Sequence, residues 1–393
     1  MERRGIAVVG AGPYGLAIAA ACAAAGRSAV VFGPAMETWW QMPADMELRA
    51  AWREMTLTSP GAPGSLDEWC AAAGVTPHEP MLVTEFIAYA TWFADRYVTE
   101  HVDAMVTSVA RSEEGGLSVR AGGVDWRVCE AIVAPGIGPF PNAPEVFEGM
   151  MDDHRIGFAA AFEQSELEGL RVAVIGAGQS AVEAAAAAVR SGAETTLLAR
   201  STVHWFADHE PSRPRSRLRR GLFELAYPAV GYGPPPLNRL VVHPDLFARL
   251  PAALRQRLTG RVLRPGASPW LREAVAGKAA IEEGVQVTAA SCDEGAVRLT
   301  LTDGRRLEFD RVLLGTGYRF RLDRLALLSP ELRSRIRVAD GWPILDHAFR
   351  TTEPSVRLVG YPAEGRYGPL ARFVLGVPFT ANRIATTVGL LPR

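Results

Sequence analysis

The chain has 393 residues, 48% of them hydrophobic and 22% charged, enough to build large cores divided among two or three domains. Its 42 Lys plus Arg against 43 Asp plus Glu provide no global field for nucleic acid or an anionic membrane. Cys22, Cys70, Cys129 and Cys292 stand far apart with no C-x-x-C pair, which excludes zinc-ligand spacing and a local redox dithiol. They read as small buried hydrophobes of a cytoplasmic protein, and no metal site is expected.

In chain order, Met1-Glu2-Arg3-Arg4 and the apolar run to Ala25 have the outline of a signal peptide. The same residues read as a strand, a turn and a helix, and that reading is preferred because cleavage would discard a complete motif. Ile6 to Val9 enters Gly10-Ala11-Gly12-Pro13-Tyr14-Gly15, an alanine-rich helix runs to Gly26, and a strand spans 28–32. Residues 69–96 have helical spacing, and 104–134 read as short strands ending at Ala134-Pro135-Gly136. The opening unit then recurs: Val172 to Ile175 enters Gly176-Ala177-Gly178-Gln179-Ser180-Ala181, a second alanine-rich helix runs to Gly192, and a strand spans 194–199. An irregular Arg- and Pro-rich insertion with short helices covers 203–270. Strands return at 285–314 and lead to Gly315-Thr316-Gly317-Tyr318; a last strand at 356–359 precedes a helix from about Pro369. No apolar run reaches the ~20 residues of a membrane helix.

In a G-x-G-x-x-G turn the first glycine permits the turn, the second admits a pyrophosphate, and the third lets helix and strand pack closely. The helix N-terminus offers unpaired N–H groups to the phosphates. Gly10, Gly12, Pro13, Tyr14 and Gly15 therefore form one candidate nucleotide site, and Gly176, Gly178, Gln179 and Ser180 the other. The end of the second strand normally carries an acid for a ribose diol or a cation for a 2′-phosphate. Arg200 and Ser201 stand there in the second unit and point to NADPH rather than NADH. In the first unit Gly33 replaces the acid, and Glu37 either serves in its place or is a solvated helix-start residue.

The first turn, the G-x-G-x-S-A turn midway and the late Thr316-Gly317-Tyr318 after a strand resemble those of the class B flavoprotein monooxygenases. Gly176 to Ala181 and Asp310 to Tyr318 are most similar to the N-hydroxylating branch, with Gly315 where that family has alanine. Phe147-Glu148-Gly149, His154 and Phe158 resemble a further family motif with one extra residue, and His154 is equally a satisfied loop histidine. The resemblance implies an α/β fold of two Rossmann-like dinucleotide-binding domains. An NADPH domain at 161–305 is inserted into an FAD domain made of 1–160 and 306–393.

By the same resemblance Trp40 and Arg49 line the flavin, although aromatic packing under a loop explains Trp39 and Trp40 as well. Gly360 ends the closing strand beside the flavin, with Tyr361 where the family has aspartate. Pro369 and Leu370 start the last helix, and Arg372 either assists the flavin or forms a surface salt bridge. The implied reaction is NADPH-driven monooxygenation through a C4a-hydroperoxyflavin, N-hydroxylation or another heteroatom oxidation first. Its partners are dioxygen and a small molecule, such as an amine or a carrier-bound compound, with twofold self-assembly the oligomeric expectation. The dense basic run Arg213, Arg215, Arg217, Arg219 and Arg220 reads as a solvated loop, or as a dock for NADPH or an anionic substrate. A reductase that does not activate oxygen and a non-catalytic flavin-binding protein stay open, the latter motivated by Gly33 and Tyr361.

Overall fold

The structure is a computed structural model that describes residues 4–48, 50–159, 162, 164–206, 237–293 and 295–389. It divides into two compact units, one made of Met1–Pro139, Gly221–Leu263 and Phe320–Arg393, the other of Phe140–Arg220 and Arg264–Arg319.

In the first unit, strand β1 (Arg4–Val9) leads through Gly12 into helix α1 (Pro13–Ala24), with Pro13 in the first turn, where its missing N–H costs nothing. Strand β2 (Ala29–Phe32) follows and pairs parallel to β1, Ile6 opposite Ala29 and Val9 opposite Phe32. Both strands are apolar on both faces because helices and loops cover the sheet on each side. Strand β3 (Val124–Val133) runs parallel to β1 on its other flank, and Val356–Leu358 adds parallel to the end of β3. The first half of β3 continues into an antiparallel meander with Leu117–Ala121 and Val106–Arg111. Arg357 is completely buried: its guanidinium pairs with Glu130 of β3 and donates to Ala348 O (2.8 Å) and to Thr387 Oγ1 (2.8 Å). A charge so buried is tolerable only because it is paired and hydrogen-bonded.

In the second unit, β4 (Arg171–Ile175), α2 (Gln179–Arg190) and β5 (Glu194–Ala199) repeat the opening of the chain. Ala280–Glu283, β5, β4, β6 (Arg311–Leu314) and Ile156–Phe158 form a five-stranded, wholly parallel sheet in that order. Val172 and Val174 are inaccessible to solvent, each contributing roughly 1.5–3 kcal/mol relative to exposure. Asp310 anchors the start of β6 by accepting from the Arg171 N–H (2.7 Å) and Nη2 (2.8 Å).

Several expectations need correction. Ile156–Phe158 and β6 pair within the second sheet, so the units divide at Pro139/Phe140 and Arg319/Phe320 instead of at 160 and 306. Residues 237–263 belong with the first unit, and the short helices expected in the insertion are Leu237–Val241, Pro244–Ala248 and Ala252–Val262. The helical spacing of 69–96 resolves into two helices, Leu66–Ala73 and Val83–Tyr97, the first ended by Gly74 in the left-handed region (φ +68°). The last helix starts at Val377; Pro369–Arg372 is a single short turn. Cys22 and Cys70 are buried as expected, but Cys292 is half-buried and Cys129 is exposed, because its side chain leaves β3 on the face opposite its buried neighbours Val128 and Glu130. The basic run 213–220 lies outside the described residues. No helix among the described residues is long and apolar enough to cross a membrane.

Candidate functional site

The first glycine turn is built so that two of its glycines meet protein and one meets open space. At Gly10 (φ +106°) a Cβ would fall 2.3 Å from Ala134 O, and at Gly15 one would fall 1.8 Å from Gly10 O. At Gly12 an added Cβ meets nothing within 4 Å. Gly12 also caps α1, whose first turn carries no acid, so its unpaired N–H groups face a clear approach. That is a cradle for a diphosphate, and FAD fits it.

The ribose side departs from the usual pattern for a physical reason. Gly33 has φ +120°, a region an aspartate would enter only with strain, and its carbonyl oxygen is 2.8 Å from His101 Nε2. The chain then returns to the turn, the Met36 N–H donating to Ala11 O (3.0 Å), and exposed Glu37 follows at once. Tyr14 turns away from any ligand role for its hydroxyl, which donates to Ala371 O (2.9 Å) and Phe373 O (3.1 Å). Its ring lies against Gly360, and a Cβ on Gly376 would come within 2.6 Å of its oxygen. Enclosure holds this phenol far above its ordinary pKa. Tyr14 thus clamps the segment 360–376 to α1. Trp39 packs on Phe86 (centroids 4.7 Å apart), whereas Trp40 is 63% exposed. Arg49 lies outside the described residues.

Arg372 does not sit at a helix start. Its Nε is 2.7 Å from Glu364 Oε2, and its guanidinium lies 4.7 Å from the centroid of the Tyr361 ring. Tyr361, in the place of the expected aspartate, is buried edge-on to Trp342 (5.4 Å), and burial pushes its phenol up to about 12. Burial also raises the Glu364 carboxyl, with Arg372 opposing the rise. Trp342, Glu364, Arg372 and Arg255 line a cleft of about 330 Å³ in the first unit. Neither Glu364 nor Arg255 was among the sequence candidates. Glu364 left a readable trace as the sole carboxylate between Val356 and Arg372; Arg255 left none.

In the second turn Gly176 (φ +143°) would place a Cβ 2.4 Å from Gly315 O, the counterpart of the Gly10 and Ala134 contact. Gly178 is open but for Pro265 at 3.8 Å, and Ser180 is exposed in the first turn of α2. The Gln179 amide is occupied within the protein: Oε1 accepts from Ser268 N–H (2.8 Å) and Oγ (3.1 Å), and Nε2 donates to Glu183 (2.7 Å). Only its backbone remains for a ligand. Arg200 and Ser201 are exposed just beyond β5. Thr316 Oγ1 donates to Asn142 O, Gly317 adopts φ +80°, and Tyr318 is partly exposed. His154 is a loop residue with an 81% exposed side chain.

Residues 7–221, more than half of the chain, match the family described as pyridine nucleotide-disulphide oxidoreductase. The chain belongs to this family. Among curated relatives, indole-3-pyruvate monooxygenase YUCCA1 of Oryza sativa subsp. japonica is 27% identical over 346 residues, 80% of this chain and 77% of the relative. Among solved structures, ornithine hydroxylase of Pseudomonas aeruginosa superimposes with a TM-score of 0.76 at 18% identity, covering 98% of this chain and 99% of its own. Bacillithiol disulfide reductase of Staphylococcus aureus reaches 0.64 at 16% identity and 98% of both chains. The two structural likenesses establish the fold, which a hydroxylase and a disulfide reductase both have.

Proposed function

We propose that the chain is an FAD- and NADPH-dependent monooxygenase that oxidises a heteroatom of a small molecule, N-hydroxylation being the first choice. The observation that carries the reading is the pair of built glycine turns, one per unit, joined to sequence similarity with a monooxygenase over most of the chain. The G-A-G-Q-S-A turn supports the N-hydroxylating branch.

In this reading the first unit holds FAD. Gly10, Gly12, Pro13 and Gly15 receive the diphosphate, Glu37 replaces Gly33 at the ribose, and Gly360, Pro369 and Leu370 border the flavin, held in place by Tyr14. The second unit holds NADPH on Gly176, Gly178, the Gln179 backbone and Ser180. Arg200 and Ser201 take the 2′-phosphate, and Thr316, Gly317 and Tyr318 complete the site. Trp40, Arg49 and Arg372 are the residues proposed on the catalytic side. FAD reduced by NADPH supplies the electrons with which one atom of dioxygen enters the substrate and the other leaves as water. The protein's part is to bind, orient and exclude water. Cytoplasmic location and twofold self-assembly complete the proposal; cell fractionation and analytical ultracentrifugation test them.

The experiment is stopped-flow absorbance on protein reduced anaerobically with NADPH and then mixed with oxygen. A long-lived near-ultraviolet band, distinct from oxidised flavin, is expected. Prompt return of oxidised flavin without that band favours a reductase, the reading that the fold shared with a disulfide reductase keeps in view. Failure of NADPH to reduce bound flavin favours a non-catalytic flavoprotein.

A further inference from the structure

The cleft of the first unit lies between the helix Ala252–Val262 and the segment 364–372, and Arg255, Thr259, Leu263, Trp342, Glu364 and Arg372 line it. At about 330 Å³ it falls at the lower end of the roughly 300–1,000 Å³ typical of small-molecule pockets. Its charges do not balance. Arg372 is committed to Glu364, through contacts of 2.7 and 3.4 Å. Arg255 meets only neutral acceptors: its Nε donates to Gly365 O (3.0 Å), and its Nη1 donates to Leu250 O and Ala248 O. Among the described residues no carboxylate lies within ion-pair reach of it.

A second guanidinium deepens the imbalance. Arg366 repels Arg255, opposed in part by the Asp340 carboxylate, which lies beyond ion-pair reach, and the buried Nε of Arg366 has no hydrogen-bond partner among the described residues. Desolvation first, and then Arg366, lower the proton affinity of Arg255. A partly desolvated cation fixed by three carbonyls, in a cleft with a surplus of positive charge, is a preorganised anion receptor. Trp342 and Leu263 add apolar surface beside it. Trp342 is held in position by Gly365, where a Cβ would lie 2.3 Å from the indole Cγ, and by stacking on Phe320 at 5.7 Å.

We propose that this cleft binds a small organic anion, with its oxyanion group on Arg255 and its apolar body against Trp342 and Leu263. The cleft shares Arg372 with the residues proposed on the catalytic side, but binding on Arg255 requires no activation of oxygen and would serve a reductase equally.

The test is isothermal titration of the full-length protein with benzoate, phenyl phosphate and neutral benzamide. FAD and NADP⁺ are held at saturation so that neither glycine turn competes for the anion. At least one anion is expected to bind ten-fold or more tighter than benzamide, and which one does so separates a carboxylate from a phosphate ligand. Arg255→Gln should weaken that anion roughly ten- to hundred-fold and leave benzamide unchanged. Thr259→Trp, which fills the cleft and leaves Arg255 in place, should abolish binding, and it decides the matter if Arg255→Gln does not fold. Benzamide binding as tightly as the anions, no binding by any probe, or anion binding that survives either substitution would overturn the proposal.

Discussion

Gly315 lies so close to Ala181 that a methyl group on it would sit 2.5 Å from the Ala181 Cα and 2.6 Å from its Cβ. Ala181 holds the position where a dinucleotide turn usually has its third glycine, and Gly315 stands where the motif that this segment resembles has alanine. The two departures compensate: the methyl group absent from the strand end is present on the helix. In the first unit the arrangement is reversed, with Gly15 on the helix and Ala134 after the strand.

Gly315→Ala is therefore expected to destabilise the second unit by about 1–3 kcal/mol through overpacking. Ala181→Gly should cost less, since it only opens space and loosens a helix. The double variant should recover most of the loss, and a thermal-unfolding double-mutant cycle measures the coupling. Additive effects would mean that the two residues do not share one space.

Gly12→Val separates the cradle from the fold. Its side chain meets no protein atom near the Cβ, so thermal stability without flavin should stay close to that of the parent. Flavin retention, read from the absorbance of the purified protein, should be lost. Gly15→Val, by contrast, should fail to fold because its Cβ would overlap Gly10 O.

Arg200→Ala tests the nucleotide preference. One charge-assisted contact to a 2′-phosphate is worth roughly 1.5–3 kcal/mol, so the KM for NADPH should rise roughly ten- to hundred-fold while that for NADH stays nearly constant. Equal losses with both cofactors would remove Arg200 from the phosphate site.

Arg372→Met leaves Glu364 buried without its cation, and a loss on the order of 2 kcal/mol is expected, less than for a fully enclosed pair because Arg372 is partly exposed. Glu364 already titrates above the ordinary carboxyl range when folded. Folding thus takes up a proton, and stability falls as pH rises from the unfolded carboxyl value through the folded one. Without Arg372 the folded value climbs further, so the deficit should grow as the pH rises from mildly acidic through neutral. Melting temperatures across that range check it, and adding Glu364→Gln should remove the pH dependence.

The two nucleotide units were legible in the sequence because their constraints act on the backbone and only glycine satisfies them. Gly10, Gly15 and Gly176 each have a carbonyl oxygen or backbone atom where a side chain would begin, so their identity announces the turn. The limits of the units were less legible. Ile156–Phe158 and β6 are short apolar strands, and nothing local says which sheet they join. Pro369 read as a helix start because proline suits a first turn, but Pro378 suits one equally, and the long helix uses the latter. Tyr14 and Gln179 were placed correctly on their turns, while the partners of their side chains lie far along the chain at 371–373 and 268. The cleft around Arg255 was out of reach for the same reason: its walls come from residues about a hundred positions apart, and neither wall carries a periodic signal.

The burial of Arg357 bears on the order in which the molecule can be made. The strand that carries it leaves a ribosome after every strand of the second sheet, yet its ion pair and its parallel ladder complete a sheet begun at residue 4. Residues 140–319 already contain every strand of the second sheet, so that sheet can be finished while the first still has an open edge. Nascent chains arrested shortly before residue 356 are expected to protect the second unit from protease and leave the first susceptible, with protection of the first arriving only once Arg357 has met Glu130.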